Sequence, residues 1–140
     1  MSFTYIPIAA GASSFDGVND HVRIPDHAKL RLSGSDFSIE FWAKPTVVDG
    51  QFRWVISKDN GNGDLDYLAG IDVSNKWRFI ARNMDIDITG GPVVIANTWY
   101  HIACTLKASV ATLYVNGVQA GSSTSAGAGI SNTADVIIGA

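Results

Sequence analysis

Phe37, Ile39, Phe41 and Ala43 alternate with Ser38, Glu40, Trp42 and Lys44. That period of two predicts a strand with one face in a core. Pro45 ends it, because proline cannot donate a ladder hydrogen bond. The same alternation predicts shorter strands at His21–Ile24, Trp54–Ser57, Tyr67–Val73 and Trp77–Arg82, each bounded by turn residues. Further on, Tyr100, Ile102, Cys104 and Leu106 share one face while Trp99, His101, Ala103 and Thr105 share the other. Leu113 and Val115 repeat the pattern, and Cys104 reads as a core position. Between Val115 and Val118, Asn116-Gly117 is a strong hairpin signal, since a type I′ turn needs positive φ at both central residues.

Polar breaks punctuate these runs: Asp59-Asn60-Gly61-Asn62-Gly63-Asp64, Gly90-Gly91-Pro92, and the stretch Gly121 to Gly129 made only of Gly, Ser, Thr and Ala. None of the three is expected to build core. With no helical period anywhere, the reading is an all-β, antiparallel jelly-roll β-sandwich.

Composition narrows the function classes. A chain of 140 residues with 46% hydrophobic and 16% charged residues is long enough for one domain and too apolar for a disordered tail. No apolar run reaches the 18 residues of a membrane span, and a net charge of −3 argues against a nucleic-acid partner. The start, Met-Ser-Phe-Thr-Tyr-Ile-Pro-Ile, lacks the basic n-region of a signal peptide. One cysteine excludes an internal disulfide. Twelve of the thirteen acids are Asp, and only Glu40 is Glu.

Several segments in order resemble the concanavalin A-like lectin/glucanase superfamily, in its laminin G-like and pentraxin-like branch. They are Ser14-Phe15-Asp16-Gly17, Asp20 to Pro25, Asp36 to Pro45, Ile56-Ser57-Lys58, Asn97 to Ala103, Leu113 to Val118 and Ile137-Ile138-Gly139. The resemblance implies a jelly roll of two antiparallel sheets over residues 14–140, preceded by an N-terminal arm, 1–13. Members of that branch continue past the Ile-Ile-Gly strand into one more strand. The expectation is therefore a sandwich lacking its usual last strand. Phe3-Thr4-Tyr5-Ile6-Pro7-Ile8 has strand character and is expected to fill the gap, within the chain or in a neighbour, making a homo-oligomer or assembly contact.

Catalysis is not expected. Glycosidases need two carboxylates about 5–9.5 Å apart, and Glu40 stands alone without the Glu-x-Asp-x-x-Glu motif. Asp85 and Asp87 alternate as on a solvated face, and no Gly-x-Ser-x-Gly elbow accompanies His21, His27 or His101. The candidate cofactor is calcium. Asn60, Asn62, Asp64 and Asp66 offer hard oxygen donors at alternate positions. An EF-hand is excluded by Leu65 where its loop needs Gly and Ile71 where it needs Glu. The resemblance adds Asp16, from the Phe-Asp-Gly region that holds structural calcium in some relatives.

Flat aromatic side chains can stack on sugar rings, and Trp42, Trp99 and Tyr67 are the candidate ligand contacts. The functional expectation is a non-catalytic recognition or assembly module, extracellular or on a particle surface, binding glycan or protein partners through loops and the outer sheet. A structural or decoration protein of a virus or phage particle is the alternative, and a glycoside hydrolase relative is the weakest reading.

Overall fold

A computed structural model describes residues 11–32, 36–61, 65–125 and 132–139. Ten strands follow in chain order: β1 (Val22–Ile24), β2 (Phe37–Ala43), β3 (Arg53–Asp59), β4 (Leu65–Ile71), β5 (Trp77–Ala81), β6 (Ile86–Gly90), β7 (Tyr100–Lys107), β8 (Val110–Val115), β9 (Val118–Thr124) and β10 (Val136–Ile138). Two one-turn 3₁₀ helices, Ala28–Leu30 and Arg82–Met84, are the helical content of the described residues. The strands form two antiparallel sheets, a six-stranded one ordered β1-β10-β3-β4-β5-β6 and a four-stranded one ordered β2-β7-β8-β9. Every strand expected among the described residues is present, the strand-like residues 3–8 lie outside them, and the all-β sandwich is the observed fold.

The core lies between the sheets and follows the period of two. On β7, Tyr100, Ile102, Cys104 and Leu106 are buried while His101, Ala103 and Thr105 are not. Trp77 anchors the middle: Phe41 meets its ring edge-on at 6.2 Å and Tyr100 at 5.7 Å. Burying aromatics of this size contributes about 2–3 kcal/mol each. Cys104 is buried as expected, and desolvation pushes its thiol up to about 12, so it is inert.

The Asn116-Gly117 turn forms as predicted, with φ of 52° and 78° joining Val115 to its register partner Val118. The β7–β8 turn at Ala108-Ser109 has the same positive φ values without a glycine, 48° and 65°. Asp36 supports it by accepting a hydrogen bond from Ala108 N at 3.1 Å.

One expectation is corrected. The small-residue stretch beginning at Gly121 was expected to be a break, yet β9 continues through Gly121-Ser122-Ser123-Thr124 as an edge strand. Its smallness serves packing: a Cβ on Gly121 would meet Ile88 Cγ2 at 2.7 Å, and one on Gly90 would strike the Ala120 backbone. Glycines here let β6 and β9 close the sandwich along that side.

Candidate functional site

The outer face of the four-stranded sheet carries the exposed aromatic surface. Alternation on β2 turns Phe37, Ile39, Phe41 and Ala43 inward and Ser38, Glu40 and Trp42 outward. In the β2–β7 register Trp42 stands opposite His101 and Glu40 opposite Ala103. On β8, Tyr114 pairs with Ala103 and Thr112 with Thr105. The face thus has an aromatic end at Trp42 and His101 and a hydroxyl end at Ser38, Thr105 and Thr112.

Trp42 is 64% exposed, and its ring lies 5.1 Å from the His101 ring. Such a side chain leaves a large flat surface in water, outside any core. Glu40 reaches His101 Nε2 at 3.6 Å, so a carboxylate borders the aromatic pair. Two backbone bonds hold His101 in place: its N–H donates to Asn116 Oδ1 at 2.9 Å, and its carbonyl accepts from Asn116 N at 2.8 Å. The residue that makes the hairpin turn therefore also fixes the platform. Trp99 is 46% exposed, two residues before His101 and alternate to buried Tyr100. Its segment is tied to the end of β2 by Asn97, which sits at φ 63° and donates its N–H to Pro45 O at 2.7 Å. A shallow depression at the far end is lined by Asp36, Phe37, Ser38, Thr105, Leu106 and Lys107.

The structure brings Trp42 and Trp99 to this sheet but not Tyr67. Tyr67 is 4% exposed within the core, where desolvation pushes its hydroxyl up to about 12. It is corrected from ligand contact to core residue, because β4 is covered on both faces. Sequence reasoning missed Tyr114 as a member of the face, though its alternation with Leu113 and Val115 was there to find.

Within the described residues the candidate calcium ligands Asp16, Asn60 and Asp66 each have a different local setting. Asn62 and Asp64 lie outside the described residues. Asp16 turns its carboxylate on its own loop, accepting from the backbone N–H groups of Val18, Asn19 and Asp20. Those bonds hold its carboxyl below the usual range. Asp66 is fully buried beside a cation already in place, and Asn60 lies on the exposed loop that follows β3. Among the described residues no group of three or more His, Cys, Asp or Glu can hold a metal.

The cation beside Asp66 is Lys58, fully buried with Nζ bonded to Asp26 at 2.7 Å and to the Ala134 carbonyl. Arg31 also holds Asp26, through Nε at 3.1 Å and through Nη2. The paired guanidinium first, and the ammonium second, keep the Asp26 carboxyl far below the usual range. Asp66 has neither oxygen hydrogen-bonded at normal geometry. Burial pushes it up to about 6, only partly offset by Lys58 and the Leu32 backbone.

Among the described residues no second acid accompanies Glu40 on the aromatic face: its register partner is Ala103, and Ser38 and Trp42 flank it on the same side of β2. On β6, Asp87 is engaged by Arg78 at 2.8 Å, while Asp85 caps the second 3₁₀ turn at φ 55°. The same sheet carries a smaller aromatic patch on its outside, where Phe52 stacks on Trp54 at 5.5 Å and Arg78 lies over Phe52.

Residues 16–140 match the laminin G-type family of the concanavalin A-like lectin/glucanases superfamily. None of the curated protein sequences matches the chain. Among solved structures, the chain is similar to a Bacteroides ovatus protein described as carbohydrate binding, with TM-score 0.65 and 15% identity over 86% of this chain and 35% of that one. The Ruminococcus gnavus IT-sialidase CBM40 bound to α2,3-sialyllactose aligns with TM-score 0.64 and 14% identity, covering 86% of this chain and 77% of that one. Mouse laminin alpha1 chain domains LG4-5 align with TM-score 0.61 and 11% identity, over 86% and 32%. The chain thus spans about a third of the length of the first and third of these. At such identities the likeness is one of fold.

Proposed function

Since the chain belongs to the laminin G-type family of the concanavalin A-like lectin/glucanases superfamily, we propose that it is a non-catalytic recognition module that binds glycan on the outer face of its four-stranded sheet. Trp42 and Trp99 supply stacking surfaces, and Glu40, His101, Tyr114, Ser38, Thr105 and Thr112 supply hydrogen-bonding groups around them. The observation that carries this reading is Trp42: a large ring, 64% exposed, laid against His101 on the open side of a rigid sheet. Sugar rings present C–H faces to aromatic surfaces and hydroxyls to polar neighbours, and this face offers both. The carbohydrate-binding descriptions of two similar structures point the same way. Such a module works where glycans are displayed, at a cell or particle surface.

A glycan array probed with the whole chain, followed by calorimetry on the best hit, tests the proposal. Trp42→Ala is expected to weaken binding at least about 10-fold, the equivalent of ~1.4 kcal/mol, with the fold intact by circular dichroism. Full-strength binding by both Trp42→Ala and Trp99→Ala, or no glycan bound at all, would remove this face from consideration.

A further inference from the structure

Hydroxyl groups cross the outer face of the four-stranded sheet in one row. Ser38 on β2 stands opposite Thr105 on β7, Thr105 opposite Thr112 on β8, and Thr112 opposite Ser122 on β9. Residues in register share a face. The strand neighbours of the two threonines, Cys104, Leu106, Ala111 and Leu113, are buried, while Ser38 and Ser122 are exposed and Thr105 and Thr112 half-buried. Strands lie about 4.8 Å apart, so the row is ~14 Å long.

The next row along the strands holds Glu40, Ala103, Tyr114 and Gln119, and the one beyond it Trp42 and His101. Four residues of β2 separate Ser38 from Trp42, a distance of about 13 Å. A single sugar ring stacked on Trp42 does not reach the hydroxyl row, whereas a chain of rings passing over the small side chain of Ala103 does.

Charge on this face is sparse and of the wrong sign for an acidic sugar. Carboxylate and sulfate groups are held best by the planar fork of arginine, which offers two parallel N–H donors. All five arginines lie off this sheet: Arg23 on β1, Arg31 after the first 3₁₀ turn, Arg53 on β3, Arg78 on β5 and Arg82 in the second 3₁₀ turn. Four of them are already paired with Asp. Among the described residues, the one acidic or basic side chain in the middle of the face besides His101 is Glu40, 73% exposed and 3.6 Å from His101 Nε2. Lysines stand only at the two rims: Lys44 just past β2, and Lys107 at the end of β7, where Asp36 lines the same depression.

On the reading that this face binds glycan, we infer that its ligand is an uncharged glycan chain of several sugar units, laid from the Trp42–His101 platform over Ala103 to the hydroxyl row. Ser38, Thr105, Thr112, Ser122, Tyr114 and Gln119 each both donate and accept, which suits sugar hydroxyls. Glu40 accepts hydrogen bonds from those hydroxyls and repels an acidic group seated beside Trp42, so one side chain contributes both affinity and selectivity.

Calorimetry on the whole chain tests this, using a series built on the best array hit: neutral oligosaccharides from monosaccharide to hexasaccharide, and their carboxylated or sulfated counterparts. Affinity is expected to rise at least about 10-fold from monosaccharide to tetrasaccharide, and to be at least about 10-fold weaker for each acidic counterpart. Raising salt to about 0.5 M is expected to change neutral binding less than about 2-fold, because no ion pair forms. Glu40→Gln should narrow the neutral-over-acidic ratio, and Thr105→Val combined with Thr112→Val should cost the tetrasaccharide more than the monosaccharide. The length and charge series use the unaltered chain, so they decide the matter even if a variant does not fold. Acidic glycans binding as tightly as neutral ones, or more tightly, would overturn the uncharged assignment and leave glycan binding standing. An affinity that does not grow with length would overturn the extended chain in the same way. No binding by any glycan would refute the glycan reading itself, and this assignment with it.

Discussion

Asp66 shows how much one residue can hold in reserve. Its carboxyl is raised from 3.8 to about 6 by burial. The folded state therefore keeps a proton that the unfolded chain has released at the same pH. Stability then rises as pH falls through about 6 and levels off below about 4, and the ionised group costs roughly 3 kcal/mol at pH 8. Asp66→Asn removes the charge and keeps the shape. We expect the variant to be more stable than the parent by up to about 3 kcal/mol at pH 8 and by much less at pH 4.5, measured by urea unfolding. An equal difference at both pH values would contradict the burial argument. Asp66 was legible only as an oxygen donor in an Asn- and Asp-rich loop, because nothing in the local pattern shows that Lys58, on the neighbouring strand, is buried beside it.

The elements themselves were largely legible. Alternation located β2, β5 and β7, and Asn116-Gly117 located the β8–β9 turn, because both signals arise within a few residues and need no distant partner. The β7–β8 turn was not legible: Ala108-Ser109 carries no turn signature, and its support comes from Asp36, 72 residues away. β9 was missed for a related reason, since a run of Gly, Ser and Thr reads as loop unless the strand it approaches is known. The two glycines at that approach should differ in cost. Gly90→Ala places a methyl against the immobile backbone of Ala120, and is expected to destabilise by about 1–3 kcal/mol. Gly121→Ala meets no backbone closely, but it does meet Cγ2 of the buried Ile88, a methyl on a stiff β-branched side chain that must shift to make room. Its strain is partly offset by the ~0.4–1 kcal/mol gained by restricting the unfolded chain, so it should cost less than Gly90→Ala. Thermal unfolding of the two variants side by side checks the order, and an equal or reversed order would refute close backbone approach as the cause.

At the scale of the whole molecule, the ionic groups set opposing slopes of stability with pH. Asp66 favours moderate acidity, whereas Asp26, held down by Arg31 and Lys58, and Asp135, held down by Arg23, favour the ionised state. Carboxyls lowered in the fold contribute stability above their unfolded value that is lost as pH falls below about 4. A calorimetric series from pH 3 to 8 is therefore expected to show the highest Tm near pH 5; a steady rise to pH 8 would show that Asp66 has no such weight.

The sequence by itself determined most of the strands, the two-sheet sandwich, the inert Cys104 and the outward placement of Trp42 and Trp99, because a period of two assigns each side chain to a face before any partner is known. Only the tertiary structure decided which faces stay open. It put Tyr67 in the core, gathered Asp26, Lys58 and Asp66 from separate segments, and sealed one side of the sandwich with glycines. Each of those outcomes depends on what packs against a residue from far along the chain, and periodicity carries no information about that.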